Sequence, residues 1–132
     1  MVKIYGYSPV GFEGSLVTVQ VDVRRGLPGT DLVGLPSSAV REARERVRVS
    51  IRNSGFCYPM DRILVSLAPA DVKKEGSGFD LPIAIAVLMA SRQLEPDRGE
   101  DILLLGELDL AGTIRPVRGV LPAVSEGLSR GI

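Results

Sequence analysis

"LVTVQVDV", residues 16–23, is the stretch from which the architecture of this chain is worked out. Apolar side chains at 17, 19, 21 and 23 alternate with polar ones at 18, 20 and 22. This period of two predicts a strand with one face in the core and the other toward solvent. The preceding "VKIYGY" at 2–7 predicts another strand, and consecutive strands of this kind are expected to pair as an antiparallel hairpin.

Further strands are predicted on either side of a long helix. Turn residues Gly26, Pro28 and Gly29 follow the second strand, and "TDLVG" at 30–34 is short enough for a minor strand. "ILVSLAP" at 63–69 predicts a longer one. "DILLLGELDLAGTIRPV" at 101–117 predicts two strands, with a turn at residues 111–113.

The long helix is predicted over residues 37–54. Ser37 or Ser38 can cap its first turn, and Gly55 suits the left-handed residue after its end. Four apolar residues recur at helical spacing and are expected to face the sheet: Val40, Ala43, Val47 and Ile51.

Two more helices complete the pattern. One is expected to begin near Asp80 or Leu81, with Pro82 in its first turn, and to be buried on most sides because "IAIAVLMAS" is apolar nearly all round. The last begins at Pro122. The order β-β-(β)-α-β-α-β-β-α predicts an α/β (α+β) fold with a mixed sheet and packed helices, in a single domain.

Composition narrows the possible functions. The 132 residues are 45% hydrophobic and 24% charged, with no net charge, no histidine and one cysteine. No apolar run reaches the roughly 18–20 residues of a membrane span, so no membrane partner is predicted; the single cysteine permits no internal disulfide and the N-terminus lacks a signal-peptide pattern, so a reducing cytoplasm is expected. The absence of histidine excludes Ser-His-Asp and Cys-His catalysis within this chain, and it makes a zinc site with Cys57 improbable.

The loop "KKEGSGFDLPIA" at 73–84 resembles an active site. Ser77 lies beside Lys73 and Lys74, but a serine nucleophile needs a base in fixed geometry, and a lysine base works best when desolvated. Both lysines are expected to be solvated. Gly76, Ser77, Gly78 and Asp80 are therefore interpreted as a structural turn, with Asp80 as a helix cap. No phosphate-binding Gly-x-x-x-x-Gly-Lys-Ser/Thr sequence occurs.

Two groups of charged residues remain to be interpreted. Four arginines of helix 37–54 fall within a stripe about 80° wide, which suits either a phosphate backbone or a solvated face; they are Arg41, Arg44, Arg48 and Arg52. The acids Glu75, Asp80, Glu107 and Asp109 have no spacing that sets a metal site, so no metal and no cofactor are predicted for this chain.

Longer runs of sequence identify a resemblance. They are "GLPG" at 26–29, "VGLP" at 33–36, "AVREARERVR" at 39–48, "IRNSGF" at 51–56, "LAPAD" at 67–71, "KEG" at 74–76, "FDLPIAIA" at 79–86 and "LLGELDLAGTIRPVRGVLP" at 104–122. Together they resemble the N-terminal domain of the ComM/YifB family of magnesium-chelatase-like AAA+ ATPases. Ser66 stands where many relatives are expected to have Asn.

The resemblance implies a Lon-protease-like domain, a two-layer sandwich. It implies that residues 1–132 end before the last elements of that domain and before an ATPase module that binds ATP and Mg²⁺ and assembles hexamers. ComM-type proteins are implicated in natural transformation, as motors that drive branch migration of DNA.

The Lon-type catalytic dyad is missing from this sequence. Lon domains carry Lys-Asp-Gly-Pro-Ser-Ala-Gly, and alignment on Lys74-Glu75-Gly76 places Gly78 at the nucleophile and Ser77 one residue before it. Alignment on Pro116-Val117-Arg118-Gly119-Val120 places Leu121 at the lysine. The resemblance thus implies a protease-like scaffold without protease chemistry, because misplacement of about 1 Å already impairs catalysis.

Three functions follow as hypotheses. The first is a non-catalytic accessory domain of a DNA-processing motor, supporting hexamer assembly or contacting DNA. The second is a hydrolase that uses Ser77 with Lys3, Lys73 or Lys74. The third is a magnesium-chelatase subunit of tetrapyrrole synthesis, which the family's alternative name suggests.

Overall fold

The computed structural model describes residues 1–9, 14–95 and 101–132. Its largest sheet has four strands in the spatial order β1-β2-β4-β3. The strands are β1 Val2–Ser8, β2 Ser15–Arg24, β3 Gly29–Val33 and β4 Arg62–Ala68. β1 and β4 both run antiparallel to β2, whereas β3 runs parallel to β4, so the sheet is mixed. The predicted hairpin of the first two strands and the predicted α+β class are confirmed.

The inner face of this sheet forms the core. The inward residues of β2 and β4 are fully buried, as the alternation of "LVTVQVDV" predicts: Val17, Val19, Val21, Ile63, Val65 and Leu67. Burial of such side chains contributes roughly 1.5–3 kcal/mol each, so this layer contributes substantially to the stability of the fold.

The first predicted helix is observed as two helices. They are α1 Ser38–Arg41 and α2 Ala43–Asn53. Ser37 caps α1 by accepting a hydrogen bond from the Val40 amide at 3.2 Å. At Glu42 the backbone remains right-handed, but its carbonyl accepts an i→i+3 hydrogen bond from Glu45 at 3.1 Å, so the turn tightens there. The four predicted core-facing residues are all buried.

The remaining helices are α3 Asp80–Ala90 and α4 Val120–Ser129. α3 packs against β1, β2 and α2, and six of its apolar residues are buried, as predicted: Pro82, Ile83, Ala84, Ala86, Val87 and Leu88. α4 begins two residues before the predicted Pro122, which still lies in the first turn, where its missing N–H has no intrahelical partner. No described helix is long and apolar enough to cross a membrane.

The region 101–117 differs in part from its prediction. The first strand is reduced to a single bridge between Leu103 and Tyr5, flanked by hydrogen bonds from Tyr5 to Ile102 (2.8 Å) and from Leu104 to Tyr5 (2.9 Å). The rest forms a small hairpin of β5 Glu107–Leu108 and β6 Ile114–Arg115. The turn at 111–113 is confirmed, and Gly112 supplies its positive φ of 90°.

Candidate nucleic-acid interface

The loop before α3 contains no nucleophile with a base. Lys3 lies over the Tyr5 ring, 5.3 Å from its centroid, and Lys73 faces Glu75 at 3.7 Å. Lys74 donates from Nζ to the Pro69 carbonyl oxygen. These are all the lysines of the chain, and each is engaged away from the Ser77 hydroxyl. Because serine needs a base in hydrogen-bond contact, the arrangement does not support Ser-Lys catalysis.

Lys74 contradicts the expectation of a solvated charge. Its side chain is fully buried, and burial lowers the pKa of its ammonium group below the ordinary value. The physical reason lies in a distant segment: the Lys74 amide donates to Leu35 at 3.0 Å, and the Ser37 amide donates to Lys74 at 2.9 Å. This backbone pairing draws the residue beneath the segment that precedes α1.

The two positions aligned with the Lon-type dyad carry no reactive groups. Gly78 is buried, and a Cβ built there would lie 3.4 Å from Leu105 and 3.7 Å from Val117. Leu121 is 79% exposed in the first turn of α4. Ser77 is half-buried and contributes its carbonyl oxygen, which accepts from the Asp80 amide at 3.5 Å. Gly76, with φ +92°, supplies the turn.

Asp80 is not the helix cap that was predicted. It is the first residue of α3, its side chain is fully buried, and its carboxylate accepts hydrogen bonds from Arg46 Nε (2.8 Å), Arg46 Nη2 (3.0 Å) and the Leu108 amide (3.0 Å). Burial raises the pKa of Asp80, and the bonds from Arg46 and Leu108 oppose that rise. Asp80 therefore joins α2, α3 and β5 through one buried carboxylate.

Arg46 is the residue that sequence reasoning missed here. It also pairs with Glu42, at 3.5 Å on the surface of the helix. The available signal was its position between Ala43 and Val47, at the border of the buried face of α2. An arginine at this border can direct its guanidinium inward when the facing helix presents a carboxylate.

The predicted arginine stripe lies on the surface of α1 and α2. Arg44 Nη1 donates to the Thr30 carbonyl at 3.3 Å, and Arg48 Nη2 pairs with Glu45 at 2.6 Å. The Glu45 carboxylate thus pairs with an arginine three residues later. Arg41 and Arg52 are exposed.

Two adjoining grooves run beside this stripe, with volumes of ≈ 440 Å³ and ≈ 630 Å³. Both are lined by Arg48, Tyr58 and Met60; Arg44 lines the first, and Arg52 lines the second together with Phe56. We call the joined surface the arginine groove, lined by Arg44, Arg48, Arg52, Phe56, Tyr58 and Met60. Arg41 contributes to neither part.

Tyr58 lines both parts of the arginine groove. Its hydroxyl and that of Thr30 are 2.6 Å apart, within hydrogen-bond distance, and burial raises the pKa of the phenol. The ring is therefore held in place between β3 and α2. Sequence reasoning did not single out Tyr58, Phe56 or Met60, because they follow α2 in a segment with no periodic pattern.

Metal ligands do not converge in the part of the chain that the structure describes. There, no three His, Cys, Asp or Glu side chains lie close enough together to hold a metal ion. Of the acids considered above, Asp80 is taken by Arg46, and the Asp109 carboxylate accepts from the amides of Ala111 (3.0 Å) and Thr113 (2.9 Å).

The fold and surface together define a mixed α+β domain in which Ser77 has no lysine partner and an arginine-lined groove lies beside α2. Comparison with known protein families identifies the family to which this domain belongs. The family described as "Subunit ChlI of Mg-chelatase" matches residues 19–132. The chain belongs to this family.

Individual relatives are similar over most of the chain. YifB of Escherichia coli is 44% identical over 128 residues, which is 97% of this chain and 25% of that protein. The competence protein ComM of Haemophilus influenzae is 47% identical over 121 residues, or 92% of this chain and 24% of that protein. An uncharacterized protein of Mycobacterium tuberculosis is 49% identical over 114 residues, with 86% and 23% coverage. The chain thus spans about a quarter of the length of these relatives.

Proposed function

We propose that this chain is a non-catalytic accessory domain of a ComM-type, magnesium-chelatase-like AAA+ ATPase, and that it contacts DNA. One contrast carries the proposal: the loop that resembles a protease site has no base for Ser77, whereas three arginines line an open groove. Proteins with the same fold can have different functions, so the residues of the groove are a better guide to function than the resemblance of the fold to a protease.

The groove suits a phosphate backbone for two reasons. Arg44, Arg48 and Arg52 project from successive turns of one helix, and arginine matches phosphate oxygens with a planar pair of donors. Among the described residues that line the groove, Glu45 is the only acid, and its pairing with Arg48 at 2.6 Å leaves Arg44 and Arg52 without a carboxylate partner. The chain as a whole has no net charge, so any attraction for DNA must come from a local cluster of positive charge, such as this one.

The whole-protein role extends this proposal. The name of the Haemophilus relative connects it with competence. We propose that the full-length protein is a cytoplasmic hexamer that binds ATP and Mg²⁺ in a separate module and drives DNA branch migration in natural transformation. In that protein the present domain would support hexamer assembly, DNA contact or both.

Charge reversal with a matched control tests the DNA contact. The test variant is Arg48→Glu with Arg52→Glu; the control is Arg118→Glu with Arg130→Glu. Each variant removes one arginine with a carboxylate partner and one without, and each changes the net charge equally. Fluorescence anisotropy with labelled duplex DNA should show much weaker binding for the test variant and nearly unchanged binding for the control. Equal effects of the two variants would refute the surface assignment.

A second function is favoured by the description of the matching family. A magnesium-chelatase ATPase subunit would assist insertion of Mg²⁺ into a tetrapyrrole. The full-length protein, mixed with the partner subunits of a chelatase and ATP, would then support formation of the magnesium porphyrin. The DNA proposal predicts no such product.

A further inference from the structure

The arginine groove contains an apolar and aromatic side that phosphate binding does not use. Phe56 is 41% exposed and Met60 is 78% exposed, while the Tyr58 ring lines both parts of the groove. What distinguishes these side chains is their place, because they line the same groove as Arg44, Arg48 and Arg52. They offer flat or polarisable surfaces at the same place as the positive charges.

The segment that carries these side chains is held rigidly. The Cys57 amide donates to Gln93 Oε1 at 2.8 Å, and Gln93 Nε2 donates back to the Cys57 carbonyl at 2.6 Å. The Phe56 amide donates to the Ile51 carbonyl at 3.1 Å, and the Tyr58 hydroxyl is fixed by Thr30. Little conformational entropy is therefore lost when a ligand contacts this segment, which favours binding.

We propose that the arginine groove binds a single-stranded segment of nucleic acid. The phosphates lie along Arg44, Arg48 and Arg52, and unpaired bases stack on Phe56, Tyr58 and Met60. This inference rests on the proposed nucleic-acid contact and adds the form of the ligand. In a duplex the base faces are already stacked on one another, so the aromatic side of the groove would find no partner there. An unpaired strand offers both groups at once.

Three ligands separate stacking from charge: an oligothymidine of about 12 nucleotides, an abasic strand of the same length, and a duplex of the same length. The abasic strand keeps the phosphates and lacks the bases. We expect tighter binding of oligothymidine than of the other two. Phe56→Ala should weaken oligothymidine binding about fivefold or more and leave duplex and abasic binding nearly unchanged. An oligouridine arm shows whether the strand is DNA or RNA, because stacking alone accepts both.

Two further variants keep the test decisive. Met60→Ala covers the case in which Phe56→Ala disturbs folding, since Met60 is the more exposed side chain. Leu121→Ala is the matched control, an equally exposed apolar residue on α4. Equal affinity for oligothymidine and the abasic strand, or an equal loss for all ligands in Phe56→Ala and Met60→Ala, would overturn the single-strand inference alone. Absence of binding to every ligand would instead overturn the proposed nucleic-acid contact.

Discussion

The ion pair of Arg46 with Asp80 offers the sharpest test of the packing described above. We consider Arg46→Met, which keeps most of the side-chain length and removes the guanidinium. The buried carboxylate of Asp80 then loses two of its three hydrogen bonds, those at 2.8 Å and 3.0 Å, and keeps only the Leu108 amide. A buried charge left without its partner is strongly destabilising.

The size of the effect follows from the burial of the two side chains. Asp80 is 0% exposed and Arg46 is 23% exposed. Removing one partner of a buried pair costs roughly 3–5 kcal/mol, and the partial exposure of Arg46 places this case near the lower end, at about 3 kcal/mol. With an unfolding entropy of about 2.1 cal/mol/K per residue, the midpoint temperature should fall by about 11 °C.

The loss should also depend on pH. Burial already raises the pKa of Asp80 above the ordinary 3.8, and without Arg46 it should rise further. A carboxyl group whose pKa is higher in the folded state makes folding less favourable as pH rises from the unfolded value through the folded one. The difference between wild type and Arg46→Met should therefore be largest at neutral pH and shrink as the pH falls toward about 4.

Urea denaturation followed by circular dichroism at several pH values measures this difference. Arg44→Met is the matched control on the same helix, since Arg44 makes one exposed hydrogen bond at 3.3 Å, and it should change the free energy of unfolding by less than about 1 kcal/mol. A loss below about 1 kcal/mol for Arg46→Met, or a loss that is constant with pH, would refute the buried-pair account.

Three further predictions follow from the same structure. The free energy of unfolding of Lys74→Met, relative to that of wild type, should be more favourable at neutral pH than near pH 10.5. Burial lowers the pKa of Lys74 in the folded state, so the wild-type protein becomes more stable as the pH rises toward the ordinary value of 10.5, whereas methionine does not titrate. Chemical denaturation across the alkaline range measures this difference, and a difference that stays constant with pH would contradict the prediction. Gly34→Ala should destabilise the fold by at least about 3 kcal/mol, because φ is +105° and the new Cβ would overlap the Leu67 carbonyl. Gly55→Ala is the matched control, with φ +88° and free space around the new Cβ, and it should cost about 1–2 kcal/mol. Thermal melts measure both losses, and equal losses would show that the overlap at Gly34 is relieved. Serine-directed fluorophosphonate probes should label wild type and Ser77→Ala equally, and labelling lost on substitution would revive the hydrolase hypothesis.

The strands and the core were predictable because their signals are local. The alternation at 16–23 and the helical spacing of Val40, Ala43, Val47 and Ile51 depend only on near neighbours, and the side chains concerned are buried as expected. The strand predicted at the start of 101–117 was not realised as a strand of its own, because its pairing with β1 is limited to the bridge between Leu103 and Tyr5.

The buried charges were not predictable because their partners are distant in sequence. Lys74 is buried by pairing with residues 35–37, and Asp80 by an arginine 34 positions earlier. The residues next to each of them in the chain indicate a solvated lysine and a helix-capping aspartate instead. The candidate site was predictable in part: Arg44, Arg48 and Arg52 were identified by helical spacing, whereas the contribution of Tyr58 depends on its contact with Thr30 across 28 residues.

The salt dependence of nucleic-acid binding tests the central claim most directly. Anisotropy titrations of the unmodified chain with duplex DNA at increasing salt give the number of phosphates that the groove neutralises. Arg44 and Arg52, which have no carboxylate partner among the described residues, predict a slope of log K against log salt of about −1.8 for a duplex, because each neutralised phosphate contributes about −0.9; the slope reaches about −2.7 when Arg48 exchanges Glu45 for a phosphate. Binding that is absent at low salt, or an affinity that does not change with salt, would contradict the proposal that this domain binds DNA through the arginine groove.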